Sequence, residues 1–163
     1  MGLGAGASLA FALVMFWVLG TNLVQTPAEK ALAGEVLSSH VRSLMANHLT
    51  DVISSDSHTV NPWFNGLLDF SPTVKDLVAA GFPLVGGRLD YISNRPVAAL
   101  VFSRRQHQIN LFTWPANREK DQRVQNLSQQ GYHVIHWTQA GMEYWAVSDL
   151  NEQELQEFVR LYQ

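Results

Sequence analysis

The stretch from Met1 to Ala28 carries no charged side chain, and the first charge is Glu29. Within it Leu3 to Val24 reads LGAGASLAFALVMFWVLGTNLV, apolar or small nearly throughout. A helix of this run, rising about 1.5 Å per residue, is roughly 33 Å long, enough to cross a hydrocarbon layer of about 30 Å. This run predicts a transmembrane helix over residues 1–26 and leaves residues 27–163 for one domain of ordinary size. A secretory signal peptide would need a basic leading region and a shorter apolar core. Ala31-Leu32-Ala33 has the small residues of a cleavage site but lies beyond Glu29 and Lys30, so the residues favour an anchor. A span that starts at residue 3 without a basic flank is also expected to follow a cytoplasmic part.

Charge and cysteine content narrow the function classes. Eleven Lys and Arg against fourteen Asp and Glu give a net charge of -3, with no basic run of the kind that tracks phosphates, so nucleic acid is not an expected partner. Arg104-Arg105 is the longest basic cluster and reads as a solvated strand end. With no cysteine, disulfides, thiol catalysis and Cys-ligated metal are excluded.

Thr26-Pro27-Ala28-Glu29 has the form of a helix start, with a hydroxyl cap, proline at the first helical position and Glu three residues after the cap. Leu37, Val41, Leu44, His48 and Val52 follow at helical spacing. These predict a membrane-proximal helix from Pro27 to near Val52, within residues 27–53, its opposite face carrying Glu35, Ser39, Arg42 and Asn47. Ser54 to Asn61 is polar and turn-rich. Ser71-Pro72 predicts a second, short helix closed at Gly81, where a left-handed residue is wanted. Gly86-Gly87 predicts a bulge or tight bend in a strand. A phosphate cradle is disfavoured there, since no helix and no Lys-Ser/Thr pair follows.

The second half reads as sheet. Val97 to Phe102, Ile109 to Trp114, His133 to Thr138 and Glu143 to Val147 are rich in β-branched and aromatic residues. They are separated by turn signals at Asn94-Arg95-Pro96, Arg104 to Gln108 and Gln139-Ala140-Gly141, which favour antiparallel neighbours. A further strand is confined to Val124 to Ser128. Asn151 caps a last helix with Glu154 at its third position, and Leu155, Phe158, Val159 and Tyr162 form one apolar stripe. The predicted class is α+β: an N-terminal transmembrane helix, then a small domain whose antiparallel sheet is packed by helices on one face.

Candidate chemistry is sparse. His40 and His48, eight residues apart on a helix, stand roughly 12 Å apart, too far to share an ion. His133 and His136 alternate to opposite faces of a strand, and His58 and His107 have no ligand-spaced partner. No serine sits in a GxSxG elbow, and Asp69, Asp90 and Asp149 lie near turns or element ends, where Asp bonds locally. Trp114, Trp137 and Trp145 read as core or cross-strand residues. Trp17 lies in the apolar span, and Trp63, beside a proline, is the one most suited to an exposed contact. No catalytic, cofactor-binding or metal-binding residue is assigned, and no enzyme activity is expected.

The strings HTVNPWFNGLLDFSP (58–72), GFPLVGGRLDYISNRPVAALVF (81–102), INLFTWP (109–115) and GYHVIHWTQAGMEYWAVSDLNEQELQEF (131–158) resemble the extracytoplasmic domain of transmembrane anti-sigma factors. That resemblance covers the chain from the apolar run to its end. It implies a regulator spanning the bacterial inner membrane once, with a periplasmic C-terminal domain acting in signal transduction. The implied partners are the membrane, through one helix, and a periplasmic protein. In such proteins a cytoplasmic domain, often with a His/Cys zinc motif, holds the sigma factor. That domain is missing from this sequence, so a sigma factor is a partner only through it. The alternative is a periplasmic ligand- or metal-binding protein tethered to the inner membrane, using its histidines and aromatic strands.

Overall fold

Val97 to Phe102 and Ile109 to Trp114 are apolar or small at almost every position, without the alternation of a sheet that faces water. Such runs belong to strands covered on both sides. In the computed structural model, which describes residues 26–45, 48–117 and 124–163, every residue of both runs is buried. The predicted transmembrane helix therefore lies outside the described residues, apart from Thr26. Among the described residues no helix is long and apolar enough to cross a membrane. The chain divides into two compact units, Met1–Ala31 and Leu32–Gln163. Of the first, residues 26–31 are described. They open helix α1 (Pro27–Ser43) with the reciprocal cap expected from the sequence. The Thr26 amide donates to Glu29 Oε2 (2.9 Å) and the Glu29 amide to Thr26 Oγ1 (3.2 Å).

The second unit is α+β. Its seven strands are β1 (Val52–Ile53), β2 (Leu84–Ile92), β3 (Arg95–Arg104), β4 (His107–Pro115), β5 (Gln125–Gln129), β6 (Tyr132–Gln139) and β7 (Met142–Ser148). They form one sheet in the order β1-β2-β3-β4-β7-β6-β5, with every neighbouring pair antiparallel. Two-residue turns join β2 to β3, β3 to β4, β5 to β6 and β6 to β7. Ser93 and Asn94 (φ 53° and 59°), Gln130 and Gly131 (54° and 83°), and Ala140 and Gly141 (51° and 74°) are all left-handed. Two left-handed residues in succession give the turn whose twist matches that of antiparallel strands.

Helices α2 (Ser57–Phe64) and α3 (Glu152–Tyr162) cover one face. Val60 and Phe64 of α2, and Leu155, Phe158, Val159 and Tyr162 of α3, share a core with Leu100, Phe102, Leu111, Ile135, Trp137 and Ala146. On the other face Ala33, Val36 and Leu37 of α1 join Ile92, Val97, Ala99, Phe112, Val134, Trp145 and Val147. The expectation of helices on one face is thus corrected to both. The reason is already in the unbroken apolar runs of β3 and β4, which leave no face for water.

Two expected helices change as well. α1 ends at Ser43, not near Val52, because Val52 is drawn into the sheet opposite Gly87. The helix expected to open at Ser71-Pro72 shrinks to a 3-10 turn over Val78–Ala80, although Gly81 closes it in the left-handed region (φ 81°) as expected. α2 replaces the expected turn-rich segment. Asp56 caps it by accepting from the His58 amide (2.8 Å), and Val60 and Phe64, fully buried, hold it down.

The glycine pair explains how α2 and β1 reach β2. Val85 is the extra residue of a bulge, since Leu84 pairs with Phe102 and Gly86 with Val101. A Cβ on Gly86 would lie 2.1 Å from the Val52 carbonyl oxygen, and one on Gly87 would lie 3.0 Å from Phe64 and Val60. Gly86→Ala is expected to push β1 off the sheet edge and cost about 1–3 kcal/mol, the usual cost of overpacking. Thermal unfolding of the variant beside wild type checks this, and an unchanged midpoint would mean that β1 is not held as described.

Candidate functional site

The buried stripe of α1 runs Ala33, Val36, Leu37, then Ser39, His40 and Ser43. It starts apolar and turns polar after one and a half turns, and Leu44 and Met45 beyond it are exposed. The sequence pattern had placed the stripe on Leu37, Val41 and Leu44 and had put Ser39 on the outer face. That is corrected, because the sheet answers the polar half of the helix with polar groups of its own.

Those groups come from β2 and β4. Arg88 donates from Nε and Nη2 to Asp90 Oδ2 (3.2 and 2.9 Å) and from Nη1 to the Leu49 carbonyl (2.8 Å). The Ser39 hydroxyl donates to the same carboxylate oxygen. One turn on, Asn110 Nδ2 donates to Ser43 Oγ (2.8 Å), which donates to the His40 carbonyl (2.7 Å). At the other end of the seam Glu35 Oε1 accepts from the Ser93 amide (2.9 Å). Both charges of the central pair are largely removed from water, with 8% of the Arg88 side chain and 16% of the Asp90 side chain exposed. The Arg88 guanidinium also lies 5.7 Å from the Phe112 ring centroid.

A cavity of about 360 Å³ opens beside this cluster. Its buried lining includes Ser39, Ser43 and Arg88, and its exposed lining includes Arg42, His48 and Asp51. The volume falls in the range of small-molecule sites. A second cavity, about 350 Å³, lies between Asn126, Ile135, Val159 and Arg160.

The histidines are dispersed. His40 is fully buried, and neither ring nitrogen has a hydrogen-bond partner. Burial holds its protonation down, from the usual 6.5 to about 4; the Asp149 charge works in the opposite sense and Arg88 in the same sense. His136 is bonded through Nε2 to Glu143 (2.5 Å) and stacks on Trp145 at 4.2 Å. His107 pairs with Asp149 (2.9 Å) and His133 with Ser128 (2.8 Å), while His48 and His58 are exposed. Among the described residues no group of three or more His, Asp or Glu is placed to hold a metal ion.

Other sequence candidates find structural roles. Asp90 lies near the end of β2 and bonds locally, to the Tyr91 amide and to Arg88, as expected, and it is also the acceptor for Ser39 at the centre of the seam. Arg104 is not merely solvated. It donates to Glu154 (3.2 Å) and to the carbonyls of Ala80 and Gly81 (3.1 and 3.3 Å), and its guanidinium lies 4.6 Å from the Phe82 ring centroid. Trp114, Trp137 and Trp145 are core residues, and Trp63 is half-buried against Phe64. Sequence reasoning missed Ser39, Ser43, Arg88 and Asn110. Their signal was the polar line at 39, 40 and 43 continuing the apolar 33, 36 and 37, which an apolar count discards. Chemically the seam is a polar latch between a helix and a sheet, built around one ion pair. Comparison of the chain with known protein families, with curated proteins and with solved structures found no match.

Proposed function

We propose that the chain is the membrane-anchored, extracytoplasmic part of a regulator of the anti-sigma type, acting on a protein partner rather than catalysing a reaction. The observation that supports this reading is the polar latch under α1. This helix follows the charge-free run directly in sequence and docks on the sheet through a seam that is apolar at Ala33, Val36 and Leu37 and then hydrogen-bonded, where Ser39 meets the Arg88-paired Asp90 and Ser43 meets Asn110. A polar latch has a second state available in water, where each of its groups finds solvent partners, and such a two-state element is what a relay needs. In this reading the apolar run anchors the chain in the bacterial inner membrane, the domain lies in the periplasm, and a sigma factor is reached through a cytoplasmic domain.

Topology is the first test. A phosphatase fused after Gln163 is expected to be active and a cytoplasm-dependent fluorescent fusion at the same point dark, and the opposite pair of results overturns the reading. The cavity beside Arg88 supports the alternative, a tethered periplasmic ligand-binding protein. Native mass spectrometry of untagged protein separates the two, since a small molecule retained in stoichiometric amount would favour the alternative.

A further inference from the structure

His40 is the titratable group in the latch that its surroundings leave unanswered. Neutral imidazole buries one donor and one acceptor without partners; the cation would bury two donors. From β6 the Tyr132 ring meets it edge-on, with centroids 5.4 Å apart. From the segment after β7 comes Asp149, already paired with His107 of β4. From β2 comes Arg88, paired with Asp90, and on α1 itself Arg42 is exposed. Asp149 and Asp90 are thus already engaged, by His107 and by Arg88, and neither His40 ring nitrogen has a hydrogen-bond partner.

α1 is also the element that can leave. None of its residues takes part in a strand ladder, and its fully buried apolar side chains are small or few: Ala33, Val36 and Leu37. Once off the sheet, His40 stands in water and binds protons with ordinary affinity.

We propose that protonation of His40 releases α1 from the sheet, so that acidification on the side of the membrane facing the domain is a signal this chain reads. The release depends on the latch alone; its meaning as a signal rests on the regulatory reading above. The sign follows from linkage. Docked His40 titrates at about 4 and free His near 6.5, so the docked state is fully favoured above 6.5. Below that pH only the released state takes up the proton. The released-to-docked ratio then rises toward tenfold per pH unit, levelling off below pH 4 at about 300-fold.

The absence of cysteine makes the test direct. Ser38→Cys on α1 and Tyr91→Cys on β2, both exposed, carry nitroxide labels in the full chain held in detergent micelles. Electron–electron resonance is expected to give one distance at pH 7.5 and a second, longer population that grows between pH 6 and 4.5. His40→Phe, and His40→Gln should the ring variant fail to fold, are expected to hold the single distance across that range. An unchanged wild-type distance at pH 4.5, or an undiminished response in the variants, overturns the proposal. So does loss of amide protection in β3 and β4 together with α1, which would mean global unfolding. A distance change that leaves a sigma-dependent reporter unmoved supports the release and counts against the regulatory reading.

Discussion

Phe158→Ala is expected to lower the unfolding free energy by about 3–5 kcal/mol, the range for aromatic truncation in a core. Phe158 is fully buried on α3, and its ring meets Phe82, Phe102 and Tyr162 at 5.4, 5.1 and 5.6 Å between centroids. Three aromatic partners on three different segments cannot all close on an alanine, so a void remains and the loss is transfer plus cavity. Against a total of about 5–15 kcal/mol for an ordinary domain, that loss is visible at once in a urea titration. Leu161 is the control: one turn face away on the same helix and 40% exposed, its truncation is expected to cost under about 1 kcal/mol. Should Phe158→Ala also cost less than about 1 kcal/mol, α3 would not be packed as described. It would then become a surface for a partner.

The C-terminal helix was legible because its signals agree at every level. Asn151 accepts from the Glu154 amide (3.0 Å) as the capping pattern requires, and the four stripe residues Leu155, Phe158, Val159 and Tyr162 are the four that bury. β3, β4, β6 and β7 were legible for the same reason, since their apolar runs are bounded by turn signals. β2 was half legible: Gly86-Gly87 announced the bulge, but Arg88 and Asp90 hid the strand's other residues behind charge. α2 was not legible, because Ser57, His58, Thr59, Asn61 and Pro62 all argue for a turn, and only packing on a sheet distant in sequence makes Val60 and Phe64 a helix face. The latch was hidden for a related reason. Hydrophobic periodicity finds apolar seams, and a seam whose serines meet Asp90 and Asn110 on the sheet is passed over by an apolar count.

That hidden seam carries the other large effect. Asp90 Oδ2 is the shared acceptor for Arg88 and Ser39, so Asp90→Ala strips the partner from a guanidinium of which 8% is exposed. Removing one member of a buried pair leaves the other desolvated and uncompensated, at a cost of about 3–5 kcal/mol. Ser39→Ala, which removes a single hydroxyl and leaves the ion pair intact, is expected to cost about 1 kcal/mol. The double variant Arg88→Met with Asp90→Val removes both charges together and is expected to recover most of the loss, because no unpaired charge remains buried. A thermodynamic cycle over these variants in urea measures the coupling directly. If Asp90→Ala cost less than about 1 kcal/mol, water would already reach Arg88 from the adjoining cavity and the seam would be open. If the loss holds but α1 keeps its amide protection in the variant, the ion pair braces Leu49 and the sheet edge rather than the helix. The expected result is the third: α1 amides exchange first, while β3 and β4 stay protected, because Asp90 is where the helix is tied to the sheet.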